Sequence, residues 1–257
     1  MQKITIRGID FDNVSMEEAL SLVEKALEEN KQTAVFTPNA EIAQLAAEQK
    51  EIRDLLCRAD LLLPDGAGII LASEILKTPL KEKVAGVDFG EKILSLASRK
   101  GYSVFFLGGK PGVAALAAQK KKIRYPTLSV AGTKDGYFQK EGDENDAVLR
   151  KINESGAQIL FVCFGAPAQE QWIDKNRTSL PHAKLLIGLG GSLDVYAGIV
   201  RRAPNIFIRA RMEWLYRLLK EPRRAGRMMR LPKYVLGVYK EKRKNALQTK
   251  LHSHDEK

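Results

Sequence analysis

Hydrophobic and polar positions along the first 195 residues switch repeatedly between strand-like and helix-like spacing. KITIRGI reads as a strand. Ser15 then stands before the helical run ALSLVEKALEEN, with Glu18 three residues on, the reciprocal pair that caps a helix start. QTAVFTPN predicts a strand closing on a polar turn, and EIAQLAAEQKEIRDLL a helix. LLLPDGAG followed by GIILASEIL repeats the arrangement, as does YSVFFLGGKPG followed by VAALAAQKKKI. ILFVCFGAPAQEQW and KLLIGLGGSLDV are two more apolar strands ending in glycine-rich turns. Short apolar runs alternating with helices predict strands buried on both faces. The expected fold is therefore α/β, a Rossmann-like, mostly parallel sheet with helices on both faces.

Near Arg201-Arg202-Ala203-Pro204 the pattern changes. FIRARMEWLYRLLK, PRRAGRMMRL and PKYVLGVYKEKRK read as three short amphipathic helices separated by Pro222 and Pro232, and NALQTKLHSHDEK reads as a disordered tail. The expected division is a catalytic α/β domain over 1–195, a basic C-terminal helical appendage over 196–245, and the tail over 246–257. No internal repeat is present.

Charge sharpens that boundary. The chain has 257 residues and a formal net charge of +11, but residues 201–257 hold 17 Lys and Arg against 5 Asp and Glu. The first 200 residues are nearly balanced, at 25 against 26. An excess confined to the last fifth points to an anionic surface, phospholipid or nucleic acid. The apolar runs are strand-length, far short of the roughly 20 residues that span a bilayer, and MQKITIRGIDFDNVS lacks the apolar stretch of a signal peptide. The expectation is a cytoplasmic chain that neither spans a membrane nor carries an export signal. Cys57 and Cys163 are both expected as buried thiols rather than a disulfide.

Candidate chemistry gathers at five strand-end turns, where loop amides and helix starts converge in open α/β sheets. Thr37-Pro38-Asn39 offers short hydrogen-bonding groups, with Asn39 equally readable as a helix cap. Pro64-Asp65-Gly66 places a carboxylate suited to general-base work, or to capping. Gly108-Gly109-Lys110 suits a diphosphate but is neither a Walker loop nor the spaced dinucleotide fingerprint. Gln169-Glu170 adds an amide and a carboxylate at a helix start, and Gly188 to Gly191 supplies glycines for close backbone approach. Asp10-Phe11-Asp12 has the Asp-x-Asp form of a metal site but is expected to be a loop feature, and Asp143 to Asp146 the solvated start of a helix.

Together these stretches resemble the WecG/TagA/CpsF family of bacterial glycosyltransferases. The matching segments, in family order, are TPNAEI, LLLPDGAGI, VAGVDF, VFFLGGKPGVA, GTKDGYF, FGAPAQEQWI, IGLGGSLDVYAGIVRRAP and EWLYRLLKEPRR. The resemblance implies transfer of N-acetylmannosamine, or a related sugar such as N-acetylmannosaminuronate, from a UDP-sugar to undecaprenyl-diphosphate-linked N-acetylglucosamine, in wall teichoic acid or other surface-polysaccharide synthesis. It makes Asp65 the base, places Thr37, Asn39 and Gln169 in the pocket, and brings Arg217, Arg224 and Arg227 over the site from the appendage. Lys83 stands where the family usually has arginine, keeping the charge but losing the two-pronged fork. Gly108, Gly109, Gly190 and Gly191 are expected substrate-binding backbone positions.

The resulting expectation is an inverting, metal-independent transferase with no cofactor, held on the anionic inner face of the cell membrane by its basic appendage. No nucleic-acid partner is expected, because the basic region has no recognition-helix, zinc or RNA-binding signature. Subunit contacts through apolar positions of the appendage stay open. Two rivals remain: a nicotinamide oxidoreductase built on the glycine turns, and a non-catalytic basic membrane- or nucleic-acid-binding module.

Overall fold

Side-chain alternation within each buried strand decides which helices cover which face of the sheet. The computed structural model describes residues 1–204, 206–207, 212–220, 226 and 230–255, without the side chains of Arg217, Lys220 and residues 248–255. Strands are β1 (Lys3–Ile6), β2 (Ile9–Asp12), β3 (Thr33–Phe36), β4 (Leu61–Leu62), β5 (Ser103–Gly108), β6 (Ser129–Lys134), β7 (Ile159–Cys163) and β8 (Leu185–Gly188). Helices are α1 (Met16–Glu28), α2 (Ala40–Glu48), α3 (Lys50–Cys57), α4 (Ala67–Ile75), α5 (Gly86–Lys100), α6 (Val113–Arg124), α7 (Gly142–Glu154), α8 (Ala168–Asn176), α9 (Ser192–Tyr196), α10 (Glu213–Lys220) and α11 (Arg230–Asp255).

Six strands form a parallel sheet in the order β4-β3-β8-β7-β5-β6. Ala34, Phe36, Phe105, Leu107, Leu160, Val162 and Leu186 face one way, into a core with α2, α3, α4, α7, α8 and α11. Val35, Val104, Phe106, Ile159, Phe161, Leu185 and Ile187 face the other way, into a core with α1, α5, α6 and α9. This is the expected Rossmann-like arrangement, and its parallel strands turn every carboxyl end to one edge.

Several local expectations are corrected. KITIRGI is not one strand: β1 and β2 form an antiparallel hairpin whose two-residue turn, Arg7-Gly8, has positive φ at both positions. Asp10-Phe11-Asp12 therefore lies on β2 rather than in a loop. Asp12 is fully buried, accepts a hydrogen bond from the Leu62 amide at 2.7 Å and has Lys3 Nζ 3.7 Å away. Burial nevertheless holds its carboxyl above the ordinary value. The helix expected over EIAQLAAEQKEIRDLL breaks at Gln49, whose backbone is extended. Ser15 and Glu18 do form the reciprocal cap of α1. Cys163 is buried, but Cys57 is exposed on the outer side of α3.

The last of the three expected short helices is instead long, while the middle one, PRRAGRMMRL, lies mostly outside the described residues. α10 is one described helix, and α11 runs unbroken from Arg230 to Asp255, through the stretch from 246 that the sequence pattern leaves unstructured. Pro232 sits in the first turn of α11, where a backbone N–H has no helical partner to lose, so it opens the helix instead of separating two. Tyr234 and Val238 are fully buried in the core shared with α2 and α4, while Leu236 and Tyr239 remain exposed. The Arg7 side chain reaches the Gly237 carbonyl at 3.3 Å, and the Arg7 amide donates to Glu241 at 3.0 Å. The hairpin turn thereby clamps α11 to the α/β body, and a chain ending near Pro204 would uncover the apolar faces of α2 and α4. No described helix is long and apolar enough to cross a membrane.

Tyr234→Ala should lower unfolding free energy by about 3–5 kcal/mol, as large aromatic truncations in cores do. Its buried hydroxyl has no hydrogen-bond partner among the described residues, so Tyr234→Phe should be neutral or stabilising. Thermal or denaturant unfolding of the two variants checks both.

Candidate active site

The carboxyl edge presents, in strand order, the Asp65 turn after β4, Thr37 and Asn39 after β3, the Gly188–Gly191 turn after β8, Gln169 and Glu170 after β7, and Gly108-Gly109 after β5. At about 4.8 Å per strand, β4 to β5 spans roughly 19 Å, an edge long enough for an extended ligand.

Two glycines join the first four turns into one unit. The Gly86 amide, at the start of α5, donates to Asp65 Oδ2 at 3.2 Å. A Cβ at Gly86 would stand 2.8 Å from Thr37 Oγ1, so the Thr37 hydroxyl occupies space that only glycine leaves open. Thr37 Oγ1 in turn donates to the Gly188 carbonyl at 3.2 Å. A Cβ at Gly188 would stand 2.8 Å from Gln169 Nε2, so the Gln169 amide is packed directly on that backbone. Gln169 Oε1 accepts from the Gly190 amide at 2.8 Å, and Nε2 donates to Glu170 Oε1 at 2.9 Å. The fold thus brings Asp65, Thr37, Gln169 and Gly190 together.

Asn39 is exposed, and its Oδ1 accepts from the Glu41 and Ile42 amides at 2.9 and 3.2 Å, so it does cap α2. Its Cβ also flanks the Asp65 turn, 3.7 Å from where a Cβ at Gly66 would be. Gly66 has φ +88, the left-handed region that glycine tolerates, which lets the chain turn sharply behind Asp65. Lys83 is half-buried beside this turn, next to Val84, whose amide donates to the Pro64 carbonyl at 2.9 Å. Gly191 is exposed at the rim.

Gly108 and Gly109 stand apart from this unit. Gly108 presses on the Cys163 carbonyl, leaving no room for a side chain, and the Gly109 amide donates to that carbonyl at 3.1 Å. Their described contacts are between strand ends. Arg217 lies on α10 with its side chain outside the described residues, and Arg224 and Arg227 lie outside them altogether.

Two residues, Gly86 and Arg202, have partners that the sequence pattern does not point to, and Gly188 has a partner it does not name. Gly86 stands in the VAGVDF segment and Gly188 in the fifth strand-end turn, but what each makes room for is distant in sequence. Arg202 forms a two-pronged ion pair with Asp88 in the first turn of α5. Those hydrogen bonds hold its guanidinium more firmly protonated than usual, with lesser help from the charges of Glu213 and Asp65. The segment entering the C-terminal region is thereby pinned beside the Asp65 turn.

Residues 4–248 match the sequence model of the Glycosyl transferase WecG/TagA/CpsF family. The chain belongs to this family of glycosyltransferases. It is 38% identical over 247 residues to a Bacillus spizizenii protein named N-acetylglucosaminyldiphosphoundecaprenol N-acetyl-beta-D-mannosaminyltransferase, covering 96% of this chain and 94% of that one. Proteins of the same name from Bacillus subtilis and Staphylococcus aureus are 36% and 34% identical, over 95% and 94% of this chain and 93% and 94% of theirs.

Within the candidate site, Glu170 is the unusual group. It is 1% exposed, and burial pushes its carboxyl up to about 7 against the opposing hydrogen bond from Gln169. Native Glu170 therefore keeps its proton to near neutrality, whereas an unfolded glutamate loses it near 4.5. The stability this gives is fully present below about pH 4.5 and is lost as pH rises through 7. Glu170→Gln should match wild type near pH 4.5 and become more stable than it by on the order of 3 kcal/mol above pH 7. Paired denaturant titrations across that range check the sign.

Proposed function

We propose that this glycosyltransferase moves N-acetylmannosamine, or a related sugar such as N-acetylmannosaminuronate, from a UDP-sugar to undecaprenyl-diphosphate-linked N-acetylglucosamine. The observation that carries the reading is the Asp65 carboxylate at the strand edge, tied through Gly86 and Thr37 to the Gln169-held turn. The names of relatives matched over nearly their whole length supply the donor sugar and acceptor.

In this reading Asp65 takes the proton from the attacking acceptor hydroxyl as that oxygen bonds to the anomeric carbon and the bond to UDP breaks. A single displacement with Asp65 as its one base inverts the anomeric configuration. Thr37, Asn39, Gln169 and the Gly190-Gly191 turn hold the donor, with Gly108 and Gly109 further along the edge. Negative charge growing on the leaving diphosphate is met by Lys83 and by Arg217, Arg224 and Arg227 of the appendage. These side chains do the work a divalent ion does in other transferases. The one Asp-x-Asp string is spent on structure, with Asp12 buried against the Leu62 amide.

The C-terminal region works at the inner leaflet, dividing from the catalytic domain near residue 195. Ile206, Leu219 and Leu236 are 73%, 67% and 63% exposed in a stretch dense in Arg and Lys. Each basic residue near an anionic bilayer contributes about 1 kcal/mol, enough in sum for reversible attachment.

Purified protein given UDP-N-acetylmannosamine and a short-chain lipid-diphosphate-N-acetylglucosamine should release UDP only when acceptor is present. Asp65→Ala should slow that release about 10²–10⁴-fold, and a chelator should leave it unchanged. Undiminished turnover in the variant would remove Asp65 as base, and an absolute need for manganese or magnesium would remove the metal-free mechanism.

A further inference from the structure

The Glu170 carboxyl is a poor choice for its surroundings on stability grounds. It is buried, only Oε1 has a hydrogen-bond partner, and Oε2 has none among the described residues. An apolar side chain of similar size would remove that cost, offset in part by leaving the buried Gln169 Nε2 without its acceptor. Among the described residues it makes no ion pair. What it visibly does is hold Gln169.

That hold reaches the site. The Gln169 amide has two anchors: the Gly190 N–H on its oxygen and the Glu170 carboxyl on its nitrogen. Between them the amide is packed against Gly188, whose carbonyl takes the Thr37 hydroxyl. With one anchor removed, the side chain can swing about the other, and both the Gly190 amide and the space over Gly188 lose their definition. Since Gln169 is itself only 3% exposed, its contribution to a ligand is the shape it gives this turn.

We propose that Glu170 is a positioning residue of the donor site: acting through Gln169, it holds the Gly188–Gly191 turn in the form that receives a nucleoside diphosphate. This rests on the donor reading given above. The role needs a hydrogen-bond acceptor at position 170, not a charge, so glutamine serves and methionine does not.

The test is calorimetric titration of the full chain with UDP, for wild type, Glu170→Met and Glu170→Gln, alongside thermal unfolding of each. Glu170→Met should bind UDP about 10-fold more weakly, the effect of one hydrogen bond, while melting at or above the wild-type temperature. Glu170→Gln should recover affinity to within about 3-fold of wild type. Opposite movement of stability and affinity is what a merely structural role does not produce. Wild-type affinity in Glu170→Met overturns the inference while leaving the donor class intact, and so does a loss of affinity that tracks a lower melting temperature. Wild type that binds no UDP takes down the donor reading and this inference with it.

Discussion

Close packing of side chains onto bare backbone is the constraint on which this site depends. At the ends of parallel strands the chain must turn toward a helix while neighbouring turns stay within contact distance. Gly86 and Gly188 meet this demand by omission, since the Thr37 hydroxyl and the Gln169 amide stand where a Cβ would be. The same economy recurs where Gly68 of α4 abuts Ala40 of α2, and where Gly108 meets the Cys163 carbonyl. Asp65, Thr37 and Gln169 come from three separate strand ends, yet their positions are fixed relative to one another because each rests on a neighbour's main chain. A site so built needs little further organisation before it meets a charged ligand.

The C-terminal region is anchored twice to this body. Tyr234 and Val238 complete the core over α2 and α4, and the Arg202–Asp88 ion pair ties the entering segment to the first turn of α5. The first anchor makes α11 part of the fold, while the second lies next to the Asp65 turn. The basic residues of the segment between these two anchors lie mostly outside the described residues.

Much of the architecture was legible because it is local. Apolar runs of strand length, the Ser15–Glu18 capping pair and the strand-end polar turns each carry their signal within a few residues. The hairpin was missed because Arg7-Gly8 is not the Asn-Gly or Asp-Gly pair that usually announces such a turn. Tyr234 and Val238 were misplaced for a different reason: an amphipathic face reads alike whether it meets lipid or protein. Glu170 looked like an acid favouring a helix start, and nothing in its neighbours along the chain shows that the helix buries it. Gly86 and Gly188 stand in recognisable segments, but their partners lie 49 and 19 residues away at Thr37 and Gln169 and leave no local sign.

Hydrogen–deuterium exchange with and without UDP tests most directly whether these turns act as one donor site. UDP should slow exchange together at residues 37–42, 65–70, 86–90 and 188–192, the turns joined through Gly86 and Gly188. Slowing confined to the opposite sheet edge, around Thr33 and Asp60, or to one of these turns alone, would contradict the account.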